Sequence, residues 1–255
     1  MKNNTQVKFK KYGFLLKKGL YTKSDTLLYE AEFDKIIKQL KRSGENINAR
    51  WGSDLTKNLE NKNTSVLHTH NVQSFSSKMM EMIQNSGFLD CVEKIIGSNI
   101  ILHHSKLFLK PPKIGSAFPL HQDWSYFPTK NKSMIAAVIH LTDTFENMGC
   151  FKLIPKSHNF GQIKNSDGHK FNKKIHGSFT LEKAKSITAN AGDVLFFHSC
   201  TLHGSMQNTS EKPRKTILIQ LYSGNDQVLN TNHTNVQLVL RGWNSFATRN
   251  SANNL

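Results

Sequence analysis

The chain has 255 residues, enough for one sizeable hydrophobic core, and it lacks the run of about 18 apolar residues needed to span a bilayer. Its 34 lysines and arginines outnumber 18 acidic residues, and the formal net charge of +16 favours anionic ligands. Three scattered cysteines, Cys91, Cys150 and Cys200, fit neither a disulfide framework nor a Cys-x-x-Cys metal knuckle. With a polar N-terminus, the sequence predicts a soluble, cytoplasmic protein with no membrane partner. The lysines are spread along the chain rather than gathered in a basic block flanked by aromatics. A small anionic molecule suits the charge as well as nucleic acid does, and a lysine- and asparagine-rich surface that is simply solvated suits it too.

In chain order, a short strand is expected from Tyr12, followed by a helix capped at Ser24 or Asp25. Leu27, Leu28, Ala31, Phe33, Ile36, Ile37 and Leu40 recur there at roughly helical spacing, and Gly44 ends the run. The polar stretch 45–64 reads as loop. A second helical stretch covers 76–96, with a break near Gly87. From residue 100 the period changes to short β-branched and aromatic runs between turn signals. Strands are expected near 100–110, 120–126, 134–142, 150–154, 186–189, 193–198, 204–208 and 216–223. Eight short strands after helices predict a mainly β fold, a two-sheet jelly roll with the N-terminal helices packed on one sheet. The expected organisation is one domain over 1–255, with 1–99 as helical support, 100–225 as the jelly-roll core and 226–255 as a C-terminal extension. The connection 156–185 holds Lys164, Lys170, Lys173, Lys174 and Lys183 against only Asp167 and Glu182. It is expected to be either a solvated loop or a lid over an anionic group.

The segment Pro119-Leu-His-Gln-Asp-Trp124 carries the chemistry. On extended backbone His121 and Asp123 share a face while Gln122 points the other way. His203 supplies a third ligand, and two imidazoles with one carboxylate leave metal positions open, as non-haem Fe(II) oxygenases require. Zinc suits the same ligand types, so a zinc hydrolase on a similar barrel is the rival enzyme. Arg214, eleven residues after His203, offers a rigid donor fork that matches a carboxylate in two places. A dicarboxylate that chelates a metal through a 2-oxo acid end needs such a partner at its far end. Trp124, Tyr126, Phe127 and Lys106 are candidates to line a substrate channel. The rival outside enzymes is a basic nucleic-acid-binding protein.

Three segments together resemble the phytanoyl-CoA dioxygenase family: Pro119 to Pro128 (PLHQDWSYFP), Gly149 to His158 (GCFKLIPKSH) and Gly192 to Ser205 (GDVLFFHSCTLHGS), followed by Arg214. The resemblance implies a double-stranded β-helix, Fe(II) held by His121, Asp123 and His203, and 2-oxoglutarate held by Arg214 with the hydroxyl of Ser205. It implies O2 as the other cosubstrate. Family members with Gly or Ala in place of the carboxylate can halogenate. Asp123 is present here, so hydroxylation of a C-H bond, with release of succinate and CO2, is the implied reaction. The family's namesake has a tryptophan beside 2-oxoglutarate on the strand after the His-x-Asp segment, where this chain is expected to have Ile139. Activity on phytanoyl-CoA is therefore not carried over.

Overall fold

The computed structural model describes residues 4–60, 62–230 and 233–252. Among the described residues, eleven strands form two antiparallel sheets. The major sheet orders β1 (Phe14–Lys17), β8 (Val194–His198), β5 (Ile135–His140), β10 (Arg214–Ser223), β3 (Ile100–Lys110) and β11 (Leu238–Arg241), with β2 (Leu67–His70) also pairing with β3. The minor sheet orders β4 (Phe118–His121), β9 (His203–Ser205), β6 (Phe151–Leu153) and β7 (Lys185–Ile187). Facing each other, the two sheets make a jelly roll.

Alternation along the major-sheet strands sorts the interior into two layers. Odd-numbered Ile135, Ala137, Ile139, Ile217 and Ile219 join the core beneath the helices, together with Phe33, Ile36, Met79, Met82 and Phe88. Even-numbered Ala136, Val138 and Leu218 face the minor sheet and pack with Phe151 and Leu153. The position expected to replace the namesake's tryptophan, Ile139, therefore lies on the helix side. Val138 and His140 are its neighbours on the inner face.

After α1 (Asn4–Tyr12), helix α2 (Lys23–Ser43) is capped by Thr22, two residues before the expected Ser24. Thr22 Oγ1 accepts from the Asp25 amide at 3.1 Å and the Asp25 carboxylate accepts from the Thr22 amide at 2.9 Å, a reciprocal capping box. Its buried stripe is Thr26, Tyr29, Phe33, Ile36, Ile37 and Leu40, whereas Leu27 and Leu28 are exposed. Gly44 ends the helix at φ 75°, a left-handed conformation that glycine adopts without a Cβ clash. Thr22→Ala is expected to destabilise the fold by about 1 kcal/mol, measured as a lower urea midpoint at unchanged slope.

The second helical stretch divides into α3 (Ser77–Ile83) and α4 (Ser86–Ile96) near Gly87, at Asn85, where Asn85 Oδ1 caps the Phe88 amide at 3.0 Å. Strand β2 adds sheet to the segment expected to be helical support, and β11 does the same for the C-terminal extension. The expected strand 120–126 ends at His121 and turns into a 3-10 helix over Asp123–Ser125. All three cysteines are free and buried. No described helix is long and apolar enough to cross a membrane.

Candidate active site

His121 closes β4 and His203 opens β9, and the register sets them directly opposite each other, with ring centroids 4.2 Å apart. Extended backbone at Gln122 carries the alternation one residue past β4, so Asp123 returns to the same side. Asp123 Oδ1 lies 3.6 Å from His121 Nε2 and 3.5 Å from His203 Nε2. The three side chains each offer one ligand atom within 4.8 Å of the others.

Each imidazole is oriented from behind. His121 Nδ1 donates to the Pro119 carbonyl at 2.8 Å and His203 Nδ1 to the Thr201 carbonyl at 2.9 Å. A ring nitrogen beside a carbonyl carries the proton, which leaves both Nε2 lone pairs for the shared centre. Burial, with His121 close by, pushes the His203 pKa down to about 4, so the ring is neutral near pH 7, as a metal ligand must be. Burial alone would raise the Asp123 pKa. The adjacent His203 and His121 and a 2.6 Å bond from Gln220 Nε2 to Oδ2 outweigh it and hold the carboxyl at about 2.

Gln122 points away from this centre, where its amide nitrogen donates to the carbonyls of Gly161 and Cys200. Its oxygen accepts from the Ile163 amide and the Ser166 hydroxyl. The connection 156–185 is thus fastened onto the ligand strand. Gly168, at φ 79°, fits where a Cβ would lie 2.9 Å from Pro119 and 3.2 Å from the His121 side chain. Lys164, Lys170, Lys173, Lys174 and Lys183 stay on its exposed side; His169 is the residue it contributes to the cavity.

Between the sheets the even-numbered face of the major sheet turns polar. Arg214 is fully buried, its Nη1 donates to the Gly149 carbonyl and its guanidinium lies 5.1 Å from the Phe151 ring. Arg214 Nε and Nη2, His140 Nε2 and Thr216 Oγ1 are buried with no partner among the described residues. Lys110, paired with Arg214 across β3 and β10, donates to Ser205 Oγ at 2.7 Å and to the Met206 carbonyl at 2.6 Å. Burial first, and then Arg214, pushes the Lys110 pKa well down. Donors left unmade inside a protein are costly, and a buried guanidinium with two unpartnered nitrogens fits a small carboxylate that enters from the cavity.

That cavity measures about 310 Å³ and holds His121, Asp123, His203 and Gln220 on its wall. Of the candidate channel residues, Tyr126, Phe127 and Lys106 line it and Trp124 does not. In a 3-10 turn side chains three apart eclipse, so Tyr126 follows Asp123 onto the cavity side while Trp124 is carried away. Trp51, from the stretch expected to be plain loop, also lines it, with its ring 4.6 Å from that of His121. Arg214 and Ser205 stand behind the lining; Phe151, against Arg214, is part of it. Sequence reasoning passed over Trp51, Gln220, Lys110 and His140. The available signal was parity, since Gln220 shares the inner face with Arg214, and Lys110 and His140 sit on the neighbouring strands.

A jelly roll with this triad between its sheets is the architecture of the 2-oxoglutarate-dependent non-haem iron dioxygenases, and the protein is an enzyme of that class. It belongs to the phytanoyl-CoA dioxygenase family, whose model, phytanoyl-CoA dioxygenase (PhyH), matches residues 9–216. Peroxisomal phytanoyl-CoA dioxygenase of Homo sapiens is 30% identical over 267 aligned residues, covering 96% of this chain and 77% of the relative. A probable alpha-ketoglutarate-dependent hypophosphite dioxygenase of Stutzerimonas stutzeri is 29% identical over 216 residues, covering 80% of this chain and 74% of the relative. Among solved structures, the epimerase SnoN in complex with Fe3+, alpha ketoglutarate and nogalamycin RO shares the fold at TM-score 0.72 and 17% identity, covering 90% of this chain and 86% of that one.

Proposed function

We propose that the protein oxidises, by hydroxylation, an unactivated C-H bond of a small anionic molecule and releases succinate and CO2 from 2-oxoglutarate. The observation that carries this reading is the convergence of two imidazole Nε2 atoms and Asp123 Oδ1, each fixed from behind by a hydrogen bond to its other polar atom. His121, Asp123 and His203 would hold Fe(II), and three ligands from one side leave room for a chelating cosubstrate and O2. Fe(II), 2-oxoglutarate and O2 together supply the oxidising chemistry.

The protein's own part is positioning. Arg214 would receive the far carboxylate of 2-oxoglutarate on its unpartnered Nε and Nη2, with the Ser205 hydroxyl, held by Lys110, beside it. Apolar Phe118, Phe151 and Leu218 on the wall keep water away from the reacting centre. A cavity of about 310 Å³ is at the low end for ligand sites and has to hold substrate and cosubstrate together, which favours a small substrate. The net charge of +16 and the relative named for hypophosphite, itself a small oxyanion, support an anionic one.

The test is a screen of small anions for succinate formation by the Fe(II)-loaded enzyme, followed by product mass. A gain of one oxygen is expected. Turnover with Zn(II) and no 2-oxoglutarate would instead give the site to a hydrolase. Gln220 would act as a positioning residue for Asp123, so Gln220→Leu is expected to weaken Fe(II) binding by roughly 10–100-fold, measured by anaerobic metal titration.

A further inference from the structure

Across β10, β3 and β2 the register sets Leu218, Lys106 and His70 in one row and puts Phe108 beside His68 in the next. Alternation turns all of these side chains toward the cavity, and all of them line it. His233, from the C-terminal segment, comes over the same rim, with its ring 5.0 Å from Phe127 and 5.7 Å from Tyr126. The Lys106 ammonium lies 5.0 Å from the centre of the Phe127 ring and makes no hydrogen bond or ion pair among the described residues. The other cation on the wall, Arg50, is already paired with Glu60 at 3.0 Å.

We infer that Lys106, His68, His70 and His233 form a subsite for a compact oxyanion on the substrate, a phosphonate or a carboxylate, set apart from the Arg214 pocket. The inference rests on the cavity being the substrate cavity of the proposed oxygenase, and it names the group by which the substrate is held. Lys106 brings three donors that no described residue accepts, and each imidazole brings one in either tautomer. Burial pushes Lys106 down to about 8, still protonated at neutral pH, and burial with His70 and Lys106 nearby pushes His68 down to about 3. The site therefore presents one ammonium and neutral N-H donors, a set suited to a single small anion. Asp123, the one carboxylate on the wall, favours the charged form of Lys106 through space but is turned to His121 and His203 and makes no ion pair with it.

Isothermal titration of methylphosphonate and of propionate tests this on the wild type, Lys106→Met and His233→Gln, each with and without Ni(II) plus 2-oxoglutarate. Methionine keeps the length of the buried stem and removes the charge, and His233→Gln alters only the rim. Lys106→Met is expected to weaken binding of the preferred anion by roughly tenfold or more, the scale of a hydrogen bond to a charged group, and His233→Gln by less. The preference between the two probes identifies the anion. Affinity for 2-oxoglutarate in the Ni(II) form should stay within about twofold of wild type, since Arg214 holds that molecule elsewhere. Loss of 2-oxoglutarate affinity in Lys106→Met, or anion binding unchanged in both variants, would overturn the subsite. Failure of the wild type to bind Ni(II) and 2-oxoglutarate would count against the oxygenase site, and the metal-free titrations would still decide the anion subsite.

Discussion

Asp123→Ala is expected to abolish substrate-dependent succinate formation and to lower Fe(II) affinity by more than the roughly 10–100-fold that follows loss of an outer partner. The carboxylate is the only anionic ligand of the three, and its Oδ1 sits at 3.6 and 3.5 Å from the two imidazole nitrogens. Without it, two neutral imidazoles would remain to hold a dication. The substitution also removes the acceptor of Gln220 Nε2, and a buried donor left unpaired costs about 1–3 kcal/mol. Circular dichroism and a urea midpoint on the same variant separate these effects. A folded Asp123→Ala protein with normal metal affinity and turnover would remove this residue from the centre.

Arg214→Met is expected to move two quantities in opposite directions. Truncating one partner of a buried charge pair costs about 2–5 kcal/mol, so the dissociation constant for 2-oxoglutarate should rise by roughly thirtyfold or more. Without cosubstrate the guanidinium is a buried charge with two unmade donors, held at Gly149 and against Phe151. Burial has already lowered its pKa to about 10. An apolar side chain of similar length should therefore leave the cosubstrate-free protein as stable as before, or raise its stability by up to about 4 kcal/mol. Tight 2-oxoglutarate binding in Arg214→Met, or a marked loss of stability without cosubstrate, would mean that Arg214 is structural.

Much of the architecture was legible because strands buried on both faces read as short β-branched and aromatic runs between turn signals, with side chains alternating between the two layers. The runs at 100–110 and 134–142 and the final strand, with Arg214 at its opening, all read in this way. The same alternation brought His121 and Asp123 to one side although β4 stops at His121, since Gln122 remains extended before the 3-10 turn. Two short strands were not legible. Strand β2 has only four residues, two of them histidines, and β11 owes its place to pairing with β3 rather than to its own composition. The helix break lies near Gly87 as expected, but the device that makes it is the side-chain cap at Asn85.

The residues around the centre divided in the same way. Those of the metal motif announce themselves by spacing, but Gln220, Lys110 and His140 become visible only once β10 is laid between β3 and β5. Trp51 comes from an irregular segment and reaches His121 by tertiary folding alone, so no local pattern marks it. Trp124 shows the converse, an aromatic beside the motif that the 3-10 turn takes out of the cavity.

The account depends on His121, Asp123 and His203 closing on a common ion. Anaerobic equilibrium dialysis against Fe(II), run on the wild type and on a His121→Ala/His203→Ala double variant, addresses that dependence directly. The wild type should retain a single ferrous ion per chain, more tightly when 2-oxoglutarate is present, and the double variant should retain none. A double variant that stays folded and binds iron as the wild type does would show that the ion is held elsewhere.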